Sequence, residues 1–196
     1  TGLGKPLKSI LHCERHIPIY TASLQPKSVS LAAEIADGFF PIWLNPDKPE
    51  IFAGPIAEGL AKSGKKPEQF DVAPFVAVVL GDDVAQCRNL LKPGMALYIG
   101  GMGARGKNFY TEYATKLGYG DAAKKVQDLY LDGKKEEAAA QVPDQLVDDV
   151  ALCGPKDRIK ARLQNWIAAG KKHQVGTMIL GSAQPEAMQL IAETVL

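Results

Sequence analysis

Charge of a single sign is what this sequence most plainly lacks. Its 23 lysines and arginines stand against 22 aspartates and glutamates, so no global field draws it to nucleic acid or to an anionic membrane, and any anion it binds must be held by local geometry. Long apolar runs are also missing. Stretches such as Phe75 to Leu80 and Met178 to Leu180 fall far short of the roughly 20 residues that cross a bilayer. No charged segment followed by an apolar run and a small-residue cleavage site opens the chain, so a cytoplasmic location is expected. Cysteine is scarce: Cys13, Cys87 and Cys153 are odd in number and far apart, with no CxxC and no Cys/His pair at metal spacing. A disulfide framework and a zinc site are therefore not expected. The cysteines read as reduced structural thiols, the alternative being a reactive Cys13 beside His12. The opening Thr1-Gly-Leu-Gly lacks an initiator Met and runs almost directly into strand-like sequence, which raises the expectation of a start inside a larger polypeptide.

What is present is ordinary for a globular domain: 196 residues, 46% hydrophobic and 23% charged, enough to bury a sizeable core. Ile17 to Leu24 reads as a strand. Pro26 stands at a helix N1, and Val29, Ala32, Ala33 and Ala36 follow at helical spacing. Asp37-Gly38 ends that unit. Phe39 to Trp43 gives a second strand bounded by Asn45-Pro46, and a helix with Ile51, Pro55, Ile56 and Leu60 breaks at Gly64. Val72 to Leu80 is a near-continuous apolar run, the pattern of a parallel strand buried on both faces. Asp82 is placed to cap a helix whose Val84, Cys87 and Leu91 share one face.

From residue 93 to residue 153 the pattern changes to a helical insertion, entered through the glycine-rich Ile99-Gly-Gly-Met-Gly-Ala-Arg-Gly-Lys-Asn-Phe-Tyr110. Gly154-Pro155 opens an amphipathic helix with Ile159, Leu163, Trp166 and Ile167 inward. Gly176 to Gly181 reads as a fourth strand, and Pro185 starts a last helix with Ala187, Leu190 and Ile191 inward. Alternating strands and helices indicate an α/β fold with a parallel sheet. A closed (β/α)8 barrel takes about 250 residues, so four strands imply either a half-barrel or an open doubly wound sheet.

The run Ile17 to Gly38 resembles the fifth strand, loop and helix of luciferase-like oxidoreductases. The segment Ile99 to Tyr110 is similar to one found in the branch that uses the deazaflavin coenzyme F420, and Ala36 to Pro41 and Thr177 to Ala192 agree in order and spacing. The resemblance spans essentially all 196 residues and aligns them with strands five to eight of a luciferase-like TIM barrel. It implies a barrel of twice this length that binds reduced F420, or alternatively FMN, at the C-terminal ends of its strands. Hydride transfer to, or oxygen activation on, a small organic substrate would occur there. Many ring-contacting and acid/base residues in such enzymes come from the first four strands, so no catalytic residue is carried over. One position departs from the family: Gln25 stands where a glycine usually precedes the proline.

Thr21, Ala22, Ser23, Leu24, Gln25, Lys27 and Ser28 form the first candidate site, a strand end passing into a helix N-terminus. Free N–H groups and the helix dipole favour phosphate there, and the hydroxyls and one lysine add donors. The simpler reading is a capped helix after a strand. Arg105 and Lys107 in the glycine-rich segment are candidates for an anion-closing lid, or else belong to a solvated loop. Lys48 is a further anion-contact candidate. That segment has neither Walker A spacing nor a GxGxxG in strand-to-helix context, and the chain has no GxSxG elbow. His12, His16 and His173 read as surface histidines, Glu112, Asp121, Asp128 and Asp132 as a solvated face, and Trp43 and Trp166 as core aromatics. Trp43, at a strand end, is also a candidate for lining a ligand pocket. Three readings follow: an F420- or FMN-dependent oxidoreductase, a non-catalytic flavin-binding protein similar to non-fluorescent flavoprotein, and an inactive half-barrel. An unpaired half would expose two strand edges, predicting a homodimer or pairing with a missing N-terminal half.

Overall fold

The structure, a computed structural model, describes Gly4, Ile10 and residues 14–196; the proposed pairing of His12 with Cys13 lies outside them. The chain alternates parallel strands with helices as the apolar pattern requires. Strand β1 (Tyr20–Thr21) leads to α1 (Pro26–Ile35), β2 (Gly38–Phe39) and α2 (Glu50–Ser63). Next come β3 (Asp71–Val72), β4 (Phe75–Leu80) and α3 (Val84–Ala96). Helices α4 (Phe109–Ala114), α5 (Gly120–Leu131), α6 (Lys135–Ala140) and α7 (Asp144–Val150) make up a helical region. The order then runs β5 (Leu152–Gly154), α8 (Lys156–Lys171), β6 (Ile179–Gly181) and α9 (Pro185–Val195).

The strands form two small parallel sheets, β1-β2-β3 and β5-β4-β6, linked by a parallel bridge between Ile42 and Phe75. No closed barrel forms among the described residues. The long apolar run divides because Pro74 has no N–H to give the ladder: β3 pairs with β2, whereas β4 pairs with β5 and β6. The expectation of a strand buried on both faces is corrected here. Val76 and Val78 are buried, but Phe75 is 40% exposed, because the face it shares with Ala77 lines a cavity. The first strand is also shorter than its apolar run, since Pro18 lacks a donor and, among the described residues, β1 has a neighbour on one side only.

Sequence periodicity leaves β5 unread as a strand. The amide of Phe75 bonds to Pro41 O, and that of Gly81, six residues on and so on the same edge, bonds to Gly154 O. Leu152–Gly154 therefore fills the edge of β4 that the chain abandons after Ile42. On the other edge, Gln184 closes the sheet with its side chain, accepting from Leu80 N and donating to Leu80 O, both at 2.8 Å.

Helix boundaries follow local chemistry. Pro26 and Pro185 stand in the first turns of α1 and α9, and α2 stops at Gly64 in the left-handed region (φ 71°). The cap of α3 is Asp83 and not Asp82: its carboxylate accepts from Ala85 N and Gln86 N. Lys65 donates to Glu34 O and Ala36 O (3.2 and 2.6 Å), satisfying carbonyls at the C-terminal end of α1.

An ion network holds the helical region to the sheet. The Asp148 carboxylate on α7 receives Arg88 from α3 and Arg158 from α8. Arg162 donates to its backbone carbonyl, and Arg158 also donates to Cys153 O in β5 at 2.6 Å. Burial pushes the Asp148 carboxyl up, but the Arg88 and Arg158 hydrogen bonds outweigh it and hold the group below its ordinary value.

Candidate functional site

A cavity of ≈ 670 Å³ opens beyond the C-terminal ends of β1 and β2 and along the Phe75 and Ala77 face of β4; the ends of β1 and β2 are where ligands bind in parallel α/β architectures. Its two sides differ in chemistry. The loop between β1 and α1 forms the polar side through Ala22, Ser23, Leu24, Gln25 and Ser28. Trp43, Tyr98 and Tyr110 form the other, with Phe40, Phe75 and Phe109 at its margins.

The polar side ends in the first turn of α1. Gln25 occupies the N-cap of α1 in extended backbone but makes no side-chain cap, and Pro26 has no N–H. The first intrahelical bond is Val29 N to Gln25 O, which leaves the amides of Lys27 and Ser28 as the first-turn donors. The Thr21 hydroxyl at the base of this loop is buried without a partner. Gln25, the position that departs from the family pattern, is engaged elsewhere: its amide donates to Glu112 at 2.7 Å and its oxygen accepts from Lys116 at 3.4 Å. The residue thus ties the loop to the helical region, and the side-chain donor it offers on paper is spent on a carboxylate.

The aromatic side is built by a backbone irregularity. Helix α3 contains Pro93 and passes into a π-helical turn, Leu97–Gly101, a feature frequent at functional sites. That turn carries Tyr98. Its glycines serve packing rather than flexibility: a Cβ on Gly100 would lie 2.3 Å from Tyr130 Cβ, and one on Gly101 2.6 Å from Tyr130 Cε1. Asn108, 1% exposed, then fixes two positions at once. Its amide donates to Tyr98 O and Ile99 O (3.0 and 2.9 Å), and its oxygen accepts from Tyr110 N at 2.8 Å. Trp43 completes the wall from the end of the β2 segment with φ 52°, strain of the kind that concentrates at functional sites, and the Tyr113 hydroxyl holds its carbonyl at 3.0 Å. The rings meet edge to face, Tyr98 with Tyr110 at 4.8 Å and Trp43 with each tyrosine at 6.0 and 5.9 Å.

Of the residues proposed from sequence, the structure brings Ala22, Ser23, Leu24, Gln25 and Ser28 to the cavity, with Thr21 below them. Lys27 is exposed on the first turn of α1. Lys48 is exposed and outside the lining. Arg105 does not reach the cavity either, because Asp128 on α5 and Asp132 at its C-cap take its guanidinium at 2.9 and 2.7 Å. Lys107 closes the same surface turn through its amide to Ala104 O. Asp128 is therefore an ion-pair partner and not simply a solvated charge. His16 lies 2.9 Å from Asp37 at the opposite, N-terminal end of the strands. Cys87 and Cys153 are buried, and burial pushes the Cys153 thiol up to about 11, which makes it a poor nucleophile. No cluster that would hold a metal ion occurs among the described residues, and no helix there is long and apolar enough to cross a membrane. The aromatic wall is the part that sequence reading missed, apart from Trp43; the signal available for it was Tyr98 and Tyr110 flanking the glycine-rich segment.

This architecture matches known proteins. The family model for luciferase-like monooxygenases covers residues 5–173. The chain is 40% identical over 187 residues to a Mycobacterium tuberculosis protein provisionally named a coenzyme F420-dependent oxidoreductase, covering 94% of this chain and 53% of that one. It is 26% identical to 5,10-methylenetetrahydromethanopterin reductase of Methanolobus tindarius, covering 92% of this chain and 54% of the relative. The coenzyme F420 dependent tetrahydromethanopterin reductase from Methanopyrus kandleri shares the fold with a TM-score of 0.64 at 20% identity, over 89% of this chain and 48% of that structure. An F420-dependent secondary alcohol dehydrogenase does so with a TM-score of 0.60 at 15% identity, over 93% and 50%. The chain spans about half the length of the curated relatives it matches. By sequence and by fold, the chain belongs to the luciferase-like monooxygenase family, alongside its F420-dependent members.

Proposed function

We propose that this chain is strands five to eight of a luciferase-like barrel and supplies one wall of the active site of an F420-dependent oxidoreductase. The observation that carries the reading is the two-sided cavity at the strand ends. Its ≈ 670 Å³ falls within the roughly 300–1,000 Å³ of cofactor sites. The unpaired Thr21 hydroxyl and the first-turn amides of α1 fit a phosphate-bearing cofactor. The names of the relatives favour deazaflavin over FMN.

In this reading Ser23, Ser28 and the amides of Lys27 and Ser28 hold the cofactor's phosphate, with the Lys27 ammonium adding positive charge at the helix end. When bound, the deazaflavin supplies hydride chemistry. Trp43, Tyr98 and Tyr110 exclude water from the opposite side of the cavity and orient what lies between. The Gln25 bond to Glu112 fixes the loop against the helical region, so that both sides keep their spacing. The proton-transferring groups belong to the other half of the barrel.

The open edges support completion by a second half. Among the described residues β1 and β6 each have one strand neighbour, and apolar side chains beside them are exposed: Ile17 and Ile19 are both 63% exposed and Ile179 is 39% exposed. Equilibrium dialysis of the native protein against F420 and FMN in parallel, with the intact mass of the polypeptide determined on the same sample, tests both parts. The expected result is retention of F420 in preference to FMN by a protein near twice 21.1 kDa. Retention of neither cofactor would overturn the proposal.

A further inference from the structure

Among the described residues no charged side chain lines the cavity, although the chain as a whole is 23% charged. The polar groups on its walls divide unevenly. Ser23, Gln25 and Ser28 lie on the loop side, while Tyr98 and Tyr110 provide two hydroxyls on the other. The buried or engaged tyrosines have partners: Tyr113 bonds to Trp43 O, Tyr119 to Asp149 and Tyr20 to Asp71. Among the described residues the hydroxyls of Tyr98 and Tyr110 have none, nor does that of Tyr130, which lies outside the lining. Burial also pushes the Tyr110 phenol up, which keeps it a neutral hydrogen-bond donor.

We propose that Trp43, Tyr98 and Tyr110 are the substrate-selecting wall of this site, and that they take an uncharged, planar, hydrophobic molecule bearing a hydroxyl or carbonyl. The inference rests on the oxidoreductase reading and names its substrate class. The three rings pack edge to face, which fixes a rigid aromatic surface on this side of the cavity against which a flat apolar guest packs. The tyrosine hydroxyls supply hydrogen bonds to its one polar group. A carboxylate or phosphate placed against this wall would lose its hydration and meet no cation on Trp43, Tyr98 or Tyr110, so the wall disfavours it. The cofactor's anionic end is drawn to the loop side, leaving the aromatic side to the substrate. Asn108 is the positioning residue: it holds the backbone of Tyr98 and caps the helix that carries Tyr110, setting the two rings 4.8 Å apart.

Calorimetric titration of the native protein, saturated with F420, with 2-naphthol and with 2-naphthoate tests the assignment by binding alone. The phenol and the carboxylate share one ring system and differ in charge at neutral pH. The expected result is that 2-naphthol binds alongside F420 at least about tenfold more tightly than 2-naphthoate. Tyr98→Phe combined with Tyr110→Phe, which keeps the packing, weakens 2-naphthol but leaves naphthalene and F420 affinities unchanged. Equal affinity for the two probes, or insensitivity of 2-naphthol to the double variant, would overturn the proposal. Displacement of F420 by 2-naphthol would also overturn it, by assigning the wall to the cofactor. Failure of F420 to bind the unmodified protein would instead overturn the underlying oxidoreductase reading.

Discussion

Replacing Asp148 with asparagine perturbs the point where four elements meet. The carboxylate side chain is 9% exposed and receives Arg88 and Arg158, whose side chains are 20% and 23% exposed. Removing one partner of a buried ion pair costs about 3–5 kcal/mol, because the remaining charge is left uncompensated. Two features place Asp148→Asn at the lower end, at about 3 kcal/mol: asparagine keeps one acceptor oxygen, and Arg88 retains Asp144, at 3.2 Å. In a domain of this size about 1 kcal/mol moves the melting temperature by 2–4 °C, so the expected drop is about 6–12 °C. The pH dependence gives a sharper check. The Asp148 carboxyl is held below its ordinary value of 3.8 in the folded protein, so its contribution is fully present above that value. It is lost as pH falls through the lower folded pKa. The stability gap between wild type and Asp148→Asn, measured by urea unfolding followed by circular dichroism, should therefore be constant from about pH 7 to about pH 5 and close below about pH 4. A gap under about 1 kcal/mol at neutral pH, or one that widens on acidification, would refute the reasoning.

Two other substitutions test the packing that positions the site. Gly100→Ala drives a methyl into the Tyr130 side chain, 2.3 Å from its Cβ, and is expected to destabilise by about 1–3 kcal/mol through overpacking. Gly94→Ala in α3, where a Cβ meets nothing within 4 Å, should instead stabilise by up to about 1 kcal/mol through helix propensity; thermal melts of the pair distinguish close approach from a generic glycine effect. Gln184→Ala removes both partners of the Leu80 backbone and is expected to cost about 1–3 kcal/mol, with faster amide exchange at Leu80 as the local readout.

Local chemistry was readable and pairing was not. Pro26, Pro185 and Gly64 mark helix ends because their conformational limits act on their own residues, and the periodic Ile159, Leu163 and Trp166 turn α8 inward as all three are buried. By contrast, Leu152–Gly154 is a strand only because β4 offers an edge left free after Ile42, information held some seventy residues away. Pro74 splits one apolar run between two sheets for the same reason: each piece follows its partner. The candidate loop from Thr21 to Ser28 was legible as a strand end feeding a helix N-terminus, which is a local feature. Arg105 lies outside the cavity lining, with Asp128 and Asp132 taking its guanidinium, and their arrival beside it is a product of folding. The aromatic wall depends on Asn108 reaching two backbone segments at once, which no spacing rule encodes.

The central claim is that the loop from Ala22 to Ser28 holds the phosphate-bearing end of a deazaflavin cofactor, and its most direct test is the dissociation constant of F420 in the native protein with Ser23→Ala and Lys27→Met combined. Losing a hydroxyl donor and a nearby cation at a helix N-terminus is expected to weaken binding by about tenfold or more, with the helical content unchanged. An affinity equal to that of the unmodified protein would contradict the account and return this loop to the role of an ordinary strand-to-helix turn.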